Sequence, residues 1–256
     1  MKRNQLAFAA AVLALCAAPV RAQVVYLFEE TFDADLGAMT ATNGAFTDNS
    51  WHFDDQCPAA TGGAHSIAGT ARFSRENDCD DYGDNGSFSG ADTDYLTSPA
   101  LDISACDGMF LSYTYLLDYQ EGPEFDRARV EISVDGGGYQ VIADNSGTSG
   151  RGPADRSGAA PAGVPAGVGG IENSGVWVAS SFDLSGVAGS TLAVRFVGDL
   201  SDQFANDGEG FVVDDVVVAC RLPIQAVPAV SPAGLAALAG LLAVAALFAV
   251  RRFRRA

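Results

Sequence analysis

Two adjacent carboxylates, Asp214 and Asp215, stand inside the apolar, β-branched run 211–219. Valine favours the pleated strand, and successive strand residues point to opposite faces, so one aspartate of the pair faces the core. A carboxylate there needs a cation, backbone donors or an arginine such as Arg195 to offset its desolvation. A hard cation held by oxygen ligands, Ca²⁺, is the expectation. Two further stretches, 77–86 and 199–209, are dense in oxygen ligands. The first breaks the EF-hand spacing, with Asn85 in place of a glycine and Ala91 in place of the closing glutamate, and both read as solvated loops. Only His52 and His65 are available as general bases. Neither lies in a nucleophile elbow or a His-Glu-x-x-His pattern, which leaves a hydrolase triad or a zinc-protease centre without support. Apart from Cys16, the cysteines are Cys57, Cys79, Cys106 and Cys220. An even number with no Cys-x-x-Cys spacing reads as two disulfides, with three pairings open.

The frame that must position these residues is read from the apolar pattern. From Gln23 onward, short apolar runs alternate with polar turns and no helical period is sustained. Strands are expected over 24–32, 51–53, 70–73, 94–97, 108–117, 128–134, 139–143, 176–184, 192–197 and 211–219. Asp135-Gly136-Gly137-Gly138 joins two of them as a hairpin, because glycine supplies the positive φ of a tight turn. The fold class is therefore all-β, a two-sheet antiparallel sandwich filling 23–221 as one domain. Residues 145–175, rich in Gly, Ala, Pro and Ser, read as a long exposed loop.

The two ends read as targeting segments. Residues 1–22 have the form of a signal peptide: Lys2 and Arg3, an apolar run, then Val20-Arg21-Ala22, so that signal peptidase would cut between Ala22 and Gln23. Residues 222–232 form a proline-rich linker. In 233–256 a charge-free run of 18 residues, Ala233 to Val250, precedes Arg251, Arg252, Arg254 and Arg255. At about 1.5 Å per residue this run can cross a bilayer as one transmembrane helix, its arginines cytoplasmic and the domain outside. Between the ends lie eight arginines, no lysine and all 32 acids, a net charge of −24. Nucleic acid is excluded as a partner, since phosphate neutralisation needs basic residues.

The C-terminal pattern resembles the sorting signals that exosortase-type enzymes handle in Gram-negative bacteria. Residues 227–235 (VPAVSPAGL) are most similar to the IPTL variety, retaining Pro228, Ser231, Gly234 and Leu235, with Ala229 and Ala233 where that pattern has threonine and tryptophan. The body resembles MAM-like and choice-of-anchor domains of the concanavalin-like jelly-roll group. The likeness is carried by Phe28-Glu29-Glu30-Thr31-Phe32, Leu96-Thr97-Ser98-Pro99-Ala100-Leu101-Asp102, the run 125–137, and Phe182-Asp183-Leu184-Ser185 through Val213-Asp214-Asp215-Val216. The resemblance implies a jelly roll, a Cys106–Cys220 bridge and, by elimination, Cys57–Cys79. It also implies a structural Ca²⁺ where first and last strands meet, on Asp214 or Asp215 with Glu30 or Asp33. Glu124-Phe125-Asp126 resembles the start of the Glu-x-Asp-x-x-Glu motif of jelly-roll glycosidases, but Arg129 stands where the second glutamate belongs.

The function expected is a non-catalytic module at the cell surface or in an extracellular matrix, binding glycan or protein. The alternatives are a jelly-roll glycoside hydrolase and a purely structural envelope component.

Overall fold

The last strand is the spine of the domain, because both neighbours of its sheet and the N-terminal strand pair with it. The computed structural model describes residues 22–42, 49–55, 69–75, 92–119, 126–145, 157–159, 169–170, 175–200, 208–223, 239–245, 247 and 251. Within these the strands are β1 (Val24–Glu30), β2 (Thr40–Thr42), β3 (Asn49–Asp54), β4 (Thr70–Arg75), β5 (Asp92–Thr97), β6 (Leu101–Asp102), β7 (Gly108–Asp118), β8 (Arg127–Val134), β9 (Gln140–Asp144), β10 (Ser157–Ala159), β11 (Gly169–Gly170), β12 (Val178–Asp183), β13 (Thr191–Leu200) and β14 (Gly210–Arg221). Sheet I runs β10-β12-β7-β14-β4-β3, with β1 also on β14; sheet II runs β11-β9-β8-β13-β5-β2, with β6 also on β13. The result is a two-sheet, largely antiparallel jelly-roll sandwich over Gln23–Pro223.

All ten strands expected from the apolar alternation are present, with ends shifted by a few residues. Four short ones escaped it. β2 and β6 are too brief to show a period. β10 and β11 lie in the stretch expected to be only an exposed loop, and they add parallel edge strands to β12 and β9. Their small residues carry no apolar signal, yet backbone pairing needs none.

The inner faces meet in a cluster of rings. Trp51 and Phe211 lie 5.4 Å apart centroid to centroid, and Tyr113 meets Phe196 edge-on at 5.1 Å, an arrangement the ring quadrupoles favour. Burial among these rings pushes the Tyr113 phenol well above its ordinary range. Gly198 on β13 lets the Phe73 ring close over the backbone, since a Cβ there would fall within the ring. The β8–β9 turn has Asp135 and Gly136 at φ 52° and 69°, closed by the Gly137 N–H donating to the Val134 carbonyl at 2.9 Å, as a tight hairpin requires. The Asp135 carboxylate accepts from the Ser190 and Thr191 amides at 2.7 and 2.9 Å, which lowers its pKa.

Cys106 and Cys220 are bridged, with S–S 2.06 Å and Cα–Cα 5.5 Å. The bond ties the end of β14 to the segment before β7. Cys57 and Cys79 lie outside the described residues. Met1–Ala22 and Ile224–Ala256 form a separate unit. Of it, residues 239–245, 247 and 251 are described as helical, and among the described residues no helix is long and apolar enough to cross a membrane.

Candidate functional site

The aspartate pair that dominates the sequence lies at a break in β14. Pairing with β7 shifts register between Asp214 and Val217, and Asp215 takes φ 50°. Strict alternation therefore fails there: Asp214 is fully buried, whereas Asp215 is half-buried. The Asp214 Oδ1 accepts the Asp215 N–H at 2.8 Å. The first strand does reach this point, Glu30 being opposite Val216. Glu30 is wrapped by the loop after β1: its Oε1 accepts the Phe32 N–H at 3.2 Å and its Oε2 the Ala38 N–H at 2.9 Å. Gly37, at φ 60°, is required because a Cβ would strike that carboxylate. Asp33 is exposed and takes the Thr31 hydroxyl at 2.8 Å. Backbone donors thus offset much of the local charge. Carboxylate oxygens such as those of Glu30 and the bulge are of the hard type that Ca²⁺ takes. Among the described residues, however, no three His, Cys, Asp or Glu side chains converge as a metal site.

Arg195, considered above as a partner for the aspartates, lies on sheet II instead. It forms the centre of a different site. Along β13, Leu192, Val194 and Phe196 are buried in the core, so Ala193, Arg195, Val197 and Asp199 face away from it, Val197 being fully covered on that side. On β8 the same alternation turns Arg127, Arg129 and Glu131 outward, in register with Asp199, Val197 and Arg195 respectively. β5 adds Thr93 and Tyr95, opposite Asp199 and Val197. Tyr139, just before β9, completes the set.

The Arg195 guanidinium is clamped between two rings, its Cζ 4.2 Å from the centroid of Tyr95 and 3.7 Å from that of Tyr139. Its Nε donates to Glu131 Oε2 at 2.6 Å, and its Nη2 forms an ion pair with the same oxygen at 2.6 Å. Arg129 pairs through Nη1 with Asp199 Oδ2 at 2.9 Å, and its Nε stands 3.4 Å from Glu131 Oε1. That last contact is an ion pair without hydrogen-bond geometry, because among the described residues the Arg129 Nε has no acceptor. The Thr93 hydroxyl donates to Asp199 Oδ1 at 2.8 Å. Cation–π contact and charge-assisted hydrogen bonds reinforce each other here, so the face is rigid before any ligand arrives. Tyrosine rings offer flat apolar surface to a sugar; guanidinium, hydroxyl and carboxylate groups offer donors and acceptors to its hydroxyls.

A second charged cluster is structural. Arg72 on β4, 1% exposed, donates through Nε to Asp54 Oδ2 at 2.7 Å, and through Nη1 to the Glu209 carbonyl and Oε2 at 2.8 and 3.0 Å. It joins β3, β4 and the approach to β14. Glu209 and Asp199, expected in one solvated loop, are therefore held by different arginines. His52 is on β3, its Nδ1 2.9 Å from the Ser50 carbonyl. His65, Glu124, the acidic stretch 77–86 and the motif residues Pro228, Ser231, Gly234 and Leu235 lie outside the described residues.

Residues 225–255 match the family described as the IPTL-CTERM motif. No curated protein matches the chain. Solved structures similar in fold include the K1 cleaved adhesin domain of Lys-gingipain from Porphyromonas gingivalis W83, at 16% identity and TM-score 0.46, covering 77% of this chain and 97% of that one. The CBM22-1 xylan-binding domain of Xyn10C from Paenibacillus barcinonensis is 11% identical, with TM-score 0.38 and coverage of 82% and 100%. TmCBM61, solved in complex with beta-1,4-galactotriose, is 8% identical, with TM-score 0.42 and coverage of 74% and 93%.

Proposed function

We propose that the chain is an exported, non-catalytic surface protein whose jelly roll, of MAM-like or choice-of-anchor type, binds glycan across the outer face of sheet II. The observation that carries this reading is the Tyr95–Arg195–Tyr139 stack on Glu131, flanked by Arg129 and Asp199. Arg129 also argues against the glycosidase alternative: in place of a second carboxylate it puts a cation already paired to Asp199. The Cys106–Cys220 bridge supports the MAM-like assignment. The sorting motif at 225–255 supports export to the surface and an exosortase-type enzyme as a processing partner. Signal peptidase would act after Ala22, and the helix within 233–250 would hold the chain in the membrane until it is processed. Full-length chain in detergent, applied to a glycan array, is expected to retain at least one oligosaccharide class, and Tyr139→Ala to reduce that binding about fivefold or more, since aromatic stacking contributes on the order of 1 kcal/mol or above. A chain retaining no glycan would refute the reading and favour a purely structural envelope component.

A structural Ca²⁺ at the junction of β1 and β14, on Asp214 or Asp215 with Glu30 or Asp33, is proposed on a separate ground, the register that brings Glu30 opposite Val216. At a hundred times its dissociation constant, Ca²⁺ adds about 2.7 kcal/mol of stability. Melting in Ca²⁺ and in chelator should then differ by several degrees, and Asp214→Ala or Asp215→Ala should abolish the difference. Coincident curves would leave backbone amides as the partners of these carboxylates.

A further inference from the structure

The charge balance of the sheet II face narrows the ligand. We infer that this face takes an uncharged, hydroxyl-rich glycan, rejects charged polymers of either sign, and owes that preference to Glu131; the inference rests on the glycan reading above. Three guanidiniums, Arg127, Arg129 and Arg195, stand among three carboxylates, Glu131, Asp144 and Asp199, with Arg195 on Glu131 at 2.6 Å and Arg129 on Asp199 at 2.9 Å. The local sum is zero inside a domain of net charge −24. A polyanion approaching the face meets the repulsion of the surrounding acids, which at physiological ionic strength is screened only beyond about 8 Å. A polycation is drawn to the acidic domain as a whole, but on this face it finds Glu131 and Asp199 already held by arginine. A sugar hydroxyl both donates and accepts, so it suits a surface on which N–H donors and carboxylate, hydroxyl and phenol oxygens alternate.

Glu131 is the hub of this balance. Its Oε2 meets both Nε and Nη2 of Arg195, its Oε1 stands 3.4 Å from Arg129, and it is 6% exposed. It is a positioning residue that acts through the arginines. Replacing it with glutamine keeps the shape, leaves three cations against two anions, and frees the Arg195 fork, which matches a carboxylate in two-pronged geometry. Loss of the hub should therefore exchange one specificity for another.

The test uses full-length chain in detergent against immobilised cello- and galacto-oligosaccharides, oligogalacturonate and chitosan oligomers, each at low and high salt. Wild type is expected to hold a neutral oligosaccharide with salt-independent affinity. Glu131→Gln should lose about tenfold or more on that ligand, the scale of a charge-assisted hydrogen bond, and gain oligogalacturonate binding that fades with salt. Asp199→Asn makes the same change of charge at a half-buried position, and carries the test should Glu131→Gln fail to fold. Tyr26→Ala, on the outer face of sheet I, should bind as wild type. Salt-sensitive wild-type binding to oligogalacturonate or chitosan would overturn the inference and leave the glycan reading standing. Failure to bind any of the four would overturn the glycan reading itself. Folded charge-reduced variants that keep the neutral preference would remove Glu131 from its role.

Discussion

Cutting the Cys106–Cys220 bridge is the sharpest test of the frame that carries the site. The bridge spans a sequence separation of 114 residues. In the chain-entropy treatment, closing a loop of that length removes unfolded-state freedom worth roughly 4–5 kcal/mol at 25 °C. For a domain of about 200 residues, each kcal/mol moves the melting temperature by about 2–4 °C. Reduction of this bridge alone should therefore lower Tm by about 8–20 °C. A Cys57→Ala/Cys79→Ala background isolates it from any bond those two cysteines make, and calorimetry with and without reductant then reads the Cys106–Cys220 bridge with both of its cysteines in place. Cys106→Ala/Cys220→Ala should fall slightly further, because Cys220 is 1% exposed and its sulfur packs in the interior. The loss should appear mainly as a lower Tm, with the β14–β7 ladder intact in the native state. A shift below about 2 °C would refute the reasoning, since it would mean that β1, β7 and β14 stay associated in the unfolded ensemble and no loop is left to close.

Arg72→Ala takes the cation away from the buried carboxylates of Asp54 and Glu209 and should cost about 3–5 kcal/mol, whereas adding Asp54→Ala to it should cost less than the two single changes together; chemical denaturation of the four proteins checks both statements. Asp135 has a pKa lowered by the Ser190 and Thr191 amides, so its contribution is full above the ordinary carboxylate range and is lost as pH falls through the lowered value. Asp135→Asn should accordingly flatten the acid limb of Tm against pH and leave its shape at neutral pH unchanged. Gly37→Ala, at φ 60° and against the Glu30 carboxylate, should destabilise by at least about 1–2 kcal/mol in the same denaturation assay, and Gly136→Ala, with open space around it at φ 69°, should cost less.

What could be read from the sequence was local. The strands from β7 to β9 and from β12 to β14 announce themselves through alternation of apolar and polar residues, a property of the single strand. β10 and β11 could not be found this way, because Ser157–Ala159 and Gly169–Gly170 have no apolar residue to alternate and exist only by pairing with an edge. The Asp214-Asp215 pair was legible as a buried charge. Its solution was not: the bulge that turns Asp215 to φ 50° is a property of how β14 meets β7 on one side and changes from β4 to β1 on the other.

The same distinction explains why the sheet II site went unseen while its residues stood in plain view. The alternating run Arg127-Ala128-Arg129-Val130-Glu131-Ile132 places its charges on one face, a signal available from the sequence alone. Nothing in that run says whether the charges oppose water or one another. That depends on register, and the register of Arg195 opposite Glu131 joins residues 64 apart in the chain. Slipping β13 by one residue against β8 would place Val194 or Phe196 opposite Glu131 and turn Arg195 into the core. The inner residues forbid it, since Val194 and Phe196 are fully buried against the opposite sheet. Packing of the core, which the sequence does announce, thus selects the register, and the register assembles the outer face. An outer face made in this way can vary its outward residues without disturbing the fold, provided each guanidinium keeps a carboxylate within reach.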